Sequence, residues 1–223
     1  MTDQAGEFGD MAMNLHDQVG VLATVEAVLE FAVEALHYDS ASVMLMNRRR
    51  AETIAATDPL VTTADQLQID LGEGPSLLAI ADHDDVLVKD TVIDDRWPKW
   101  APTAAASGIR SALAIRLFTA HSTSGVLNLV STKPYVFGEG DLEAAQLLAL
   151  HASIAVASAR SEASLNLAID SRKNVGQAVG RLMERYKLDA IQAFATLQRY
   201  SQDRNQRLHD IAQHVIAHGQ LPD

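Results

Sequence analysis

Two glycines inside one helical stretch set the tightest constraint on this chain. In the run Ser171–Leu208, Gly176 and Gly180 fall within a segment whose apolar residues recur at helical spacing. Stepping about 100° per residue, Val175, Ala178, Val179, Leu182 and Tyr186 gather on one side. Lys173, Gln177, Arg181 and Arg185 stand on the other, at four-residue intervals. Glycine in a helix interior costs about 1 kcal/mol relative to alanine. A pair four residues apart therefore calls for a reason. Either another helix or backbone passes very close, or a bulky ligand such as a nucleic-acid backbone does.

The helix is expected to break after Arg185. Asp189 with Gln192 three residues later reads as a capping box for a second helix. Ile191, Phe194, Leu197 and Ser201 are expected to face its core, with Gln192, Thr196 and Arg199 opposite. Asn205 is the expected N-cap of a third helix that turns Leu208, Ile211, Ala212 and Val215 inward. His214 and His218 have the four-residue spacing of a metal pair, but no third ligand accompanies them.

These residues resemble the ANTAR domain, a small RNA-binding module of bacterial transcription antiterminators. The resemblance rests on the pattern A-x-G-x-L-M-E-R at Ala178, Gly180, Leu182, Met183, Glu184 and Arg185. It continues through Ala193-Phe194, Tyr200, Asn205, Leu208 and Ile211-Ala212, and Asp170-Ser171-Arg172 fits ahead of it. Val179 stands where many members carry lysine, which removes one phosphate contact. The resemblance implies binding of paired stem-loops in nascent mRNA leaders, so that an antiterminator forms at the expense of a terminator hairpin. Such recognition needs phosphate and loop-base contacts from a cationic helix face. It assigns those contacts to Arg172, Lys173, Gln177, Arg181 and Arg185, with Arg199 and Arg204 as outer contacts. Ala178 and Gly180 would permit close approach. For each basic residue taken alone, a solvated helix face is the plain alternative.

Charge bears on that assignment. The chain of 223 residues carries a net charge of −11, which opposes nucleic-acid binding in bulk. Residues 1–160 hold 10 Lys+Arg against 22 Asp+Glu, whereas residues 161–223 hold 8 against 7. Only a local face of the tail is able to attract phosphate, and geometry must supply the rest. The absence of cysteine excludes disulfides, thiol catalysis and thiolate metal sites, and fits a cytoplasmic location. The polar, acidic start is not a signal peptide, and no apolar run reaches bilayer length.

Upstream, residues 1–13 lack periodicity and are expected to be disordered. Leu15 to Leu36 reads as one amphipathic helix, with Val19 and Leu22 in its apolar stripe. Ala41–Met46 reads as a strand, Arg48-Arg49-Arg50 as a solvated turn rather than a nucleic-acid patch, and Glu52–Thr57 as a partner strand. Gly72-Glu-Gly-Pro-Ser76 is an entry turn to a helix at Leu77–Asp82 and lacks the lysine signature of a P-loop. Val86–Lys89 is a short strand. Asp94 and Asp95 make a poor metal pair, and Trp97 and Trp100 are expected to pack down the loop that carries them. Gly108–Leu117 and Val126–Val130 pair around a turn at His121–Gly125, and a long helix begins near Leu142.

This order of elements resembles a GAF domain over residues 14–160. The matching motifs are Gly72–Pro75, Asp94-x-Arg96-x-Pro98, Gly108–Ser111, Gly125–Leu129 and Phe137 with Asp141. The fold class is then α+β: a GAF domain, an antiparallel sheet flanked by helices, joined by a long helix to an all-α three-helix ANTAR module at 161–223. Without cysteine, the bilin and methionine-sulfoxide-reductase branches of GAF chemistry are closed. Leu142 breaks the cyclic-nucleotide signature, and His37, His83, His121 and His151 are too scattered to argue for haem. The expectation is no cofactor and no catalysis, with a small-molecule ligand in the GAF pocket left open. Along the long helix, Ala145, Ala149, Ala152, Val156, Ala159 and Ala163 form a small-residue seam expected to pair two copies as a homodimer. Leu147, Leu150 and Ile154 are expected to face the sheet. The functional expectation is an RNA-binding antitermination regulator. The alternative is a protein-interaction module that dimerises through its GAF domain and binds no RNA.

Overall fold

The computed structural model describes residues 4–34, 38–47, 50–119 and 122–222. The chain divides into two compact units, Met1–Arg160 and Ser161–Asp223. The expectations that rest on Leu36, His37, Arg48, Arg49 and His121 lie outside the described residues.

The first unit is built on a five-stranded antiparallel sheet, order β2-β1-β5-β4-β3. The strands are β1 Ser40–Asn47, β2 Arg50–Ala56, β3 Val86–Val88, β4 Ser111–Thr119 and β5 Ser122–Ser131. Residues alternate between its faces. Val43, Leu45, Leu113, Ile115, Leu117, Leu127 and Leu129 point to one core. Ala112, Ala114, Val126 and Val130 point to the other. That second face is small because Trp100 is laid across it, wholly buried. The tryptophan lies on α5 (Trp100–Ala106), beside α3 (Pro59–Leu71) and α4 (Pro75–Asp82). Glu73 fixes α5 by accepting the backbone N–H groups of Lys99 (2.6 Å) and Trp100 (2.8 Å). The Asp94 carboxylate is paired with the Arg96 guanidinium at 2.6 Å, and that same group donates to the Leu87 carbonyl at 2.7 Å. The Trp97 and Trp100 rings meet edge to face at 5.6 Å.

The N-terminus corrects the expectation of disorder. Residues from Gln4 to Asp17 form α1, because Met11 and Leu15, one helical turn apart, are only 4% exposed in the core. The single helix expected from Leu15 is two. Gly20, at φ 91°, breaks it, and α2 runs Val21–Glu34. Val19 therefore lies in the break, 85% exposed, and Leu22 is 53% exposed, both outside the expected stripe. Helix α3 carries a signal the periodicity missed: Asp58 caps it through Leu60 N (2.6 Å), and Pro59 opens its first turn.

Helix α6, Glu139–Tyr186, covers the α1–α2 side of the sheet with its first part. The expected division of its faces is inverted. Ala145, Ala149, Ala152, Val156 and Ala159 are all at most 7% exposed and belong to this chain's own core, together with Leu148 for all but Ala159. Leu147 (39%), Leu150 (44%) and Ile154 (64%) face outward. Small side chains let the helix lie close to a sheet already filled with Leu and Ile, so the larger residues go to the free side. Among the positions of the proposed seam only Ala163 is exposed. By length and composition α6 is also apolar enough to cross a bilayer, with an 18-residue window of mean hydropathy 1.4, contrary to the expectation of no such run. Of that window, 39% is buried against the protein, the inward alanine stripe contributing part of its apolar character.

Between α3 and the sheet lies a closed polar network. Asp65, fully buried, accepts from Ser42 Oγ (2.7 Å), Thr53 Oγ1 (2.8 Å) and Asn128 Nδ2 (2.8 Å). Ser76 Oγ donates to Asn128 Oδ1 at 2.8 Å, and Ser76 N donates to Gln68 Oε1 at 2.6 Å. Gly74, at φ 144°, lets the loop pass here; a Cβ on it would lie 2.6 Å from Gln68 Oε1. The adjoining cavity is about 10 Å³, room for roughly one water. Burial pushes the Asp65 carboxyl up to about 6, against hydrogen bonds from Ser42, Thr53 and Asn128 that pull it down.

Two predictions follow from this packing. The folded unit holds the Asp65 proton more tightly than the unfolded chain. That contribution is therefore full below the ordinary value of 3.8 and is lost as pH rises through about 6. In urea titrations at a series of pH values, Asp65→Asn should gain on the wild type across that window, by about 3 kcal/mol in total. Separately, a Cβ on Gly125 would press on the Met44 carbonyl oxygen and lie 2.7 Å from Leu45 Cδ2. Gly125→Ala should cost about 2–4 kcal/mol in the same assay.

Candidate nucleic-acid interface

The second unit is assembled from the C-terminal part of α6, α7 (Ala190–Asp203) and α8 (Leu208–His218). Its core is Ala178 and Leu182 of α6, Ala193 and Leu197 of α7, and Ile211, Ala212 and Val215 of α8. The expected capping box is present: Gln192 N donates to Asp189 Oδ1 (2.7 Å) and Asp189 N to Gln192 Oε1 (3.1 Å). Other expectations for α7 and α8 are corrected. Ile191 is 81% exposed and Phe194 41%, because Ala193 rather than its neighbours points to the core. Asn205 lies in the turn at φ 50°, and Arg207 takes the N-cap position of α8. Tyr186 is 49% exposed rather than inward. The His214 and His218 rings stack at 4.1 Å, and His218 Nδ1 contacts the His214 carbonyl at 3.1 Å.

The chosen interface residues divide into several groups. Ala178 is fully buried under α7 and α8 and has no surface to offer a ligand. Its small side chain serves the close packing of the three helices. Arg172, Lys173, Gln177, Gly180, Arg181, Arg185, Arg199 and Arg204 are all exposed. Helix geometry groups Lys173, Gln177, Gly180 and Arg181 on one face. Arg172 stands about half a turn from Arg181, nine residues away, so the two do not share that face. Arg185 is turned to the end of α8: its guanidinium donates to Gln220 Oε1 (2.9 Å) and the Gly219 carbonyl (3.4 Å) and lies 5.8 Å from the Tyr186 ring. It neutralises the exposed C-terminal carbonyls of that helix. Arg199 lies on α7, and Arg204 sits 5.2 Å over the Tyr200 ring at the α7 end.

Glu184 was overlooked in this face. It falls between Lys173 and Arg181 around the helix and is exposed, so the stripe is less positive than a list of cations suggests. Lys187 and Arg207, both exposed in the turns, were also overlooked; a charge count of the tail includes them, but helical periodicity does not. The two glycines behave as an open surface. A Cβ at Gly176 or Gly180 would meet no atom within 4 Å outside the helix. No helix of this unit approaches them, which removes one of the two reasons for their presence.

Comparison with known proteins decides the family. A GAF domain model matches residues 20–157 and an ANTAR domain model residues 163–216. The chain is a GAF–ANTAR protein. Both domains are signalling and regulatory modules. No curated protein matches the chain in sequence. Among solved structures, the GAF domain of an Acinetobacter phosphoenolpyruvate-protein phosphotransferase is 16% identical, with a TM-score of 0.58 over 72% of this chain and 97% of that one. The free methionine-R-sulfoxide reductase of Neisseria meningitidis, solved with its substrate, is 20% identical, with a TM-score of 0.59 over 73% and 95%. The corresponding phosphotransferase GAF domain of Coxiella burnetii is 16% identical, with a TM-score of 0.59 over 73% and 97%. At these identities the likeness is one of fold. The GAF–ANTAR protein has no cysteine.

Because both glycines face open space, Gly176→Ala and Gly180→Ala should each raise the stability of the isolated GAF–ANTAR protein by about 1 kcal/mol. Thermal unfolding followed by circular dichroism measures this. A loss of stability would mean that something in the folded protein does approach that face.

Proposed function

We propose that this GAF–ANTAR protein is a cytoplasmic, homodimeric, non-catalytic regulator of transcription antitermination. Its ANTAR unit binds paired stem-loops in nascent mRNA leaders, and its GAF unit receives the controlling signal. The observation that carries this reading is the exposed face of α6. Lys173, Gln177 and Arg181 surround two glycines whose helix-destabilising cost finds no compensation inside the unit. A phosphate backbone is bulky, anionic and able to approach a bare helix closely, and it supplies the missing compensation. Arg172, Arg199 and Arg204 act as flanking contacts, Arg185 in part through its hold on α8, and Ala178 only by packing. A net charge near zero over the tail means that affinity depends on geometry and falls with salt.

For the GAF unit, the cavity next to Asp65 is only about 10 Å³. A ligand entering on that side would have to displace the Gly72–Ser76 loop, which the Ser76–Gln68 and Ser76–Asn128 hydrogen bonds hold down. A protein-interaction role for the tail is supported by a separate observation, the exposure of Ile191 and Phe194 on α7.

Binding of an RNA with two tandem stem-loops, against a single-loop control at near-physiological salt, separates these readings. Antitermination predicts preference for the tandem RNA, with Arg181→Ala weakening binding about tenfold, roughly 1.4 kcal/mol. Equal, weak binding to both RNAs would favour the protein-interaction role.

A further inference from the structure

We infer that a groove at the edge of β4 binds a free α-amino acid with an apolar side chain. Its regulatory meaning rests on the GAF unit receiving a signal, as proposed above; its chemistry does not.

The groove has a volume of about 330 Å³, at the small end of the roughly 300–1,000 Å³ of ligand sites. Its floor is Ile115, 1% exposed, and its apolar walls are Phe118 and Leu150, 42% and 44% exposed. It opens where β3 stops, because β3 pairs with β4 only at residues 112–114. Ile115 belongs to the core on the α6 side, so the sheet separates this groove from the cavity beside Asp65. A bare strand edge invites another strand, but here the N–H groups are taken. Arg116 N donates to Asp85 Oδ1 and Phe118 N to Ser153 Oγ, each at 3.0 Å. The groove is therefore left to a ligand recognised by side chains.

Arg116 decides the chemistry of that ligand. Its guanidinium lies 4.8 Å over the Phe118 ring. Among the described residues it pairs with no carboxylate, although Asp84 and Asp85 line the same groove. Asp85 is committed elsewhere, to Arg116 N and, at 2.8 Å, to Gln146 Nε2. Asp84 gives one oxygen to the Asp85 N–H at 2.9 Å, which leaves its second oxygen open. The turn that carries both is fastened, since His83, at φ 60°, places Nδ1 2.9 Å from Thr123 Oγ1. A fixed cation and a fixed anion thus share one groove without neutralising each other. A simple anion would meet two carboxylates, and a simple cation would meet the guanidinium. A zwitterion satisfies both. Its carboxylate takes Arg116, its ammonium takes Asp84, and an apolar side chain covers Ile115, Phe118 and Leu150. An α-amino acid is the smallest molecule with all three parts.

Isothermal titration calorimetry of the full chain with L-leucine, L-methionine and L-phenylalanine, in the absence of RNA, tests this. At least one should bind saturably, with a Kd of about 1 mM or tighter. The N-acetyl derivative and the amide of that amino acid, each lacking one charge, should bind about tenfold more weakly. Arg116→Gln and Asp84→Asn should each weaken the parent amino acid by about tenfold as well. Asp95→Asn, exposed and outside the groove, should change nothing. All three variants keep the backbone and acceptor atoms of the turn, so circular dichroism spectra should match the wild type. No saturable heat with any of the three amino acids, undiminished binding after loss of either charge, or an equal loss with Asp95→Asn would overturn the inference. None of these outcomes involves RNA, so this site and the antitermination reading fail separately.

Discussion

The approach of α6 to the sheet is the contact on which the rest of the first unit depends. Leu113, Ile115, Leu117, Leu127 and Leu129 already fill the sheet face, so a helix lying on them must present small side chains. Ala145, Ala149 and Ala152 do so, each at most 1% exposed. At about 25 cal/mol per Å² of apolar surface, this face is stabilised mainly by the large residues of the sheet. The alanines set the separation. Everything else about α6 follows from its rotation. Once the alanines point in, helical geometry sends Leu147, Leu150 and Ile154 out. The polar caps of the β4 edge fall into place with it, since Ser153 on α6 is the partner of Phe118 N.

The opposite side of the sheet is organised by a cost rather than a gain. An ionised carboxyl buried as deeply as Asp65 is unfavourable without compensation. Three neutral donors supply part of it, from β1, β2 and β5. The hydrogen bonds of Ser42, Thr53 and Asn128 thereby tie α3 to three strands at one point. Ser76 extends the tie to α4 through Asn128. A network of this kind is satisfied only when all of its members are in place. Movement of the Gly72–Ser76 loop would therefore be felt at Asp65 and, through it, at the sheet.

Much of this was legible in the chain because it depends on local rules. The strands, the Asp189–Gln192 capping box and the core residues Leu182, Leu197, Ile211 and Val215 follow from alternation, capping chemistry and helical period. The GAF and ANTAR motifs were read correctly from short runs of residues. What failed depended on which of two apolar stripes meets a particular neighbour. On α6 the alanine stripe and the leucine stripe are both plausible inward faces, and only the bulk of the sheet's own side chains chooses between them. The same holds on α7, where Ala193 points in and the larger Ile191 and Phe194 do not. Helix α1 was missed because two residues, Met11 and Leu15, suffice to dock it, too few to show as a period. The breadth of the cationic face was overstated for a different reason. Lists of Lys and Arg ignore Glu184 between them and the capping work that occupies Arg185.

That last point bears on how an acidic protein would hold an anionic partner. If the face were strongly basic, bulk attraction would suffice and sequence or shape would matter little. Here the tail is nearly neutral, and one acidic residue sits among the exposed cations of α6. Attraction at a distance is therefore weak, and the first unit adds repulsion. Only a ligand that fits closely would gain enough short-range contact to bind, and the open surface at Gly176 and Gly180 is where the helix backbone would come closest to it. A weak field with a close fit discriminates between folded shapes better than a strong field does, because loosely fitting nucleic acids gain almost nothing from it. On the proposed RNA-binding reading, the low net charge of the tail would be a source of selectivity, and the glycines, costly to the helix by themselves, would make the close fit available.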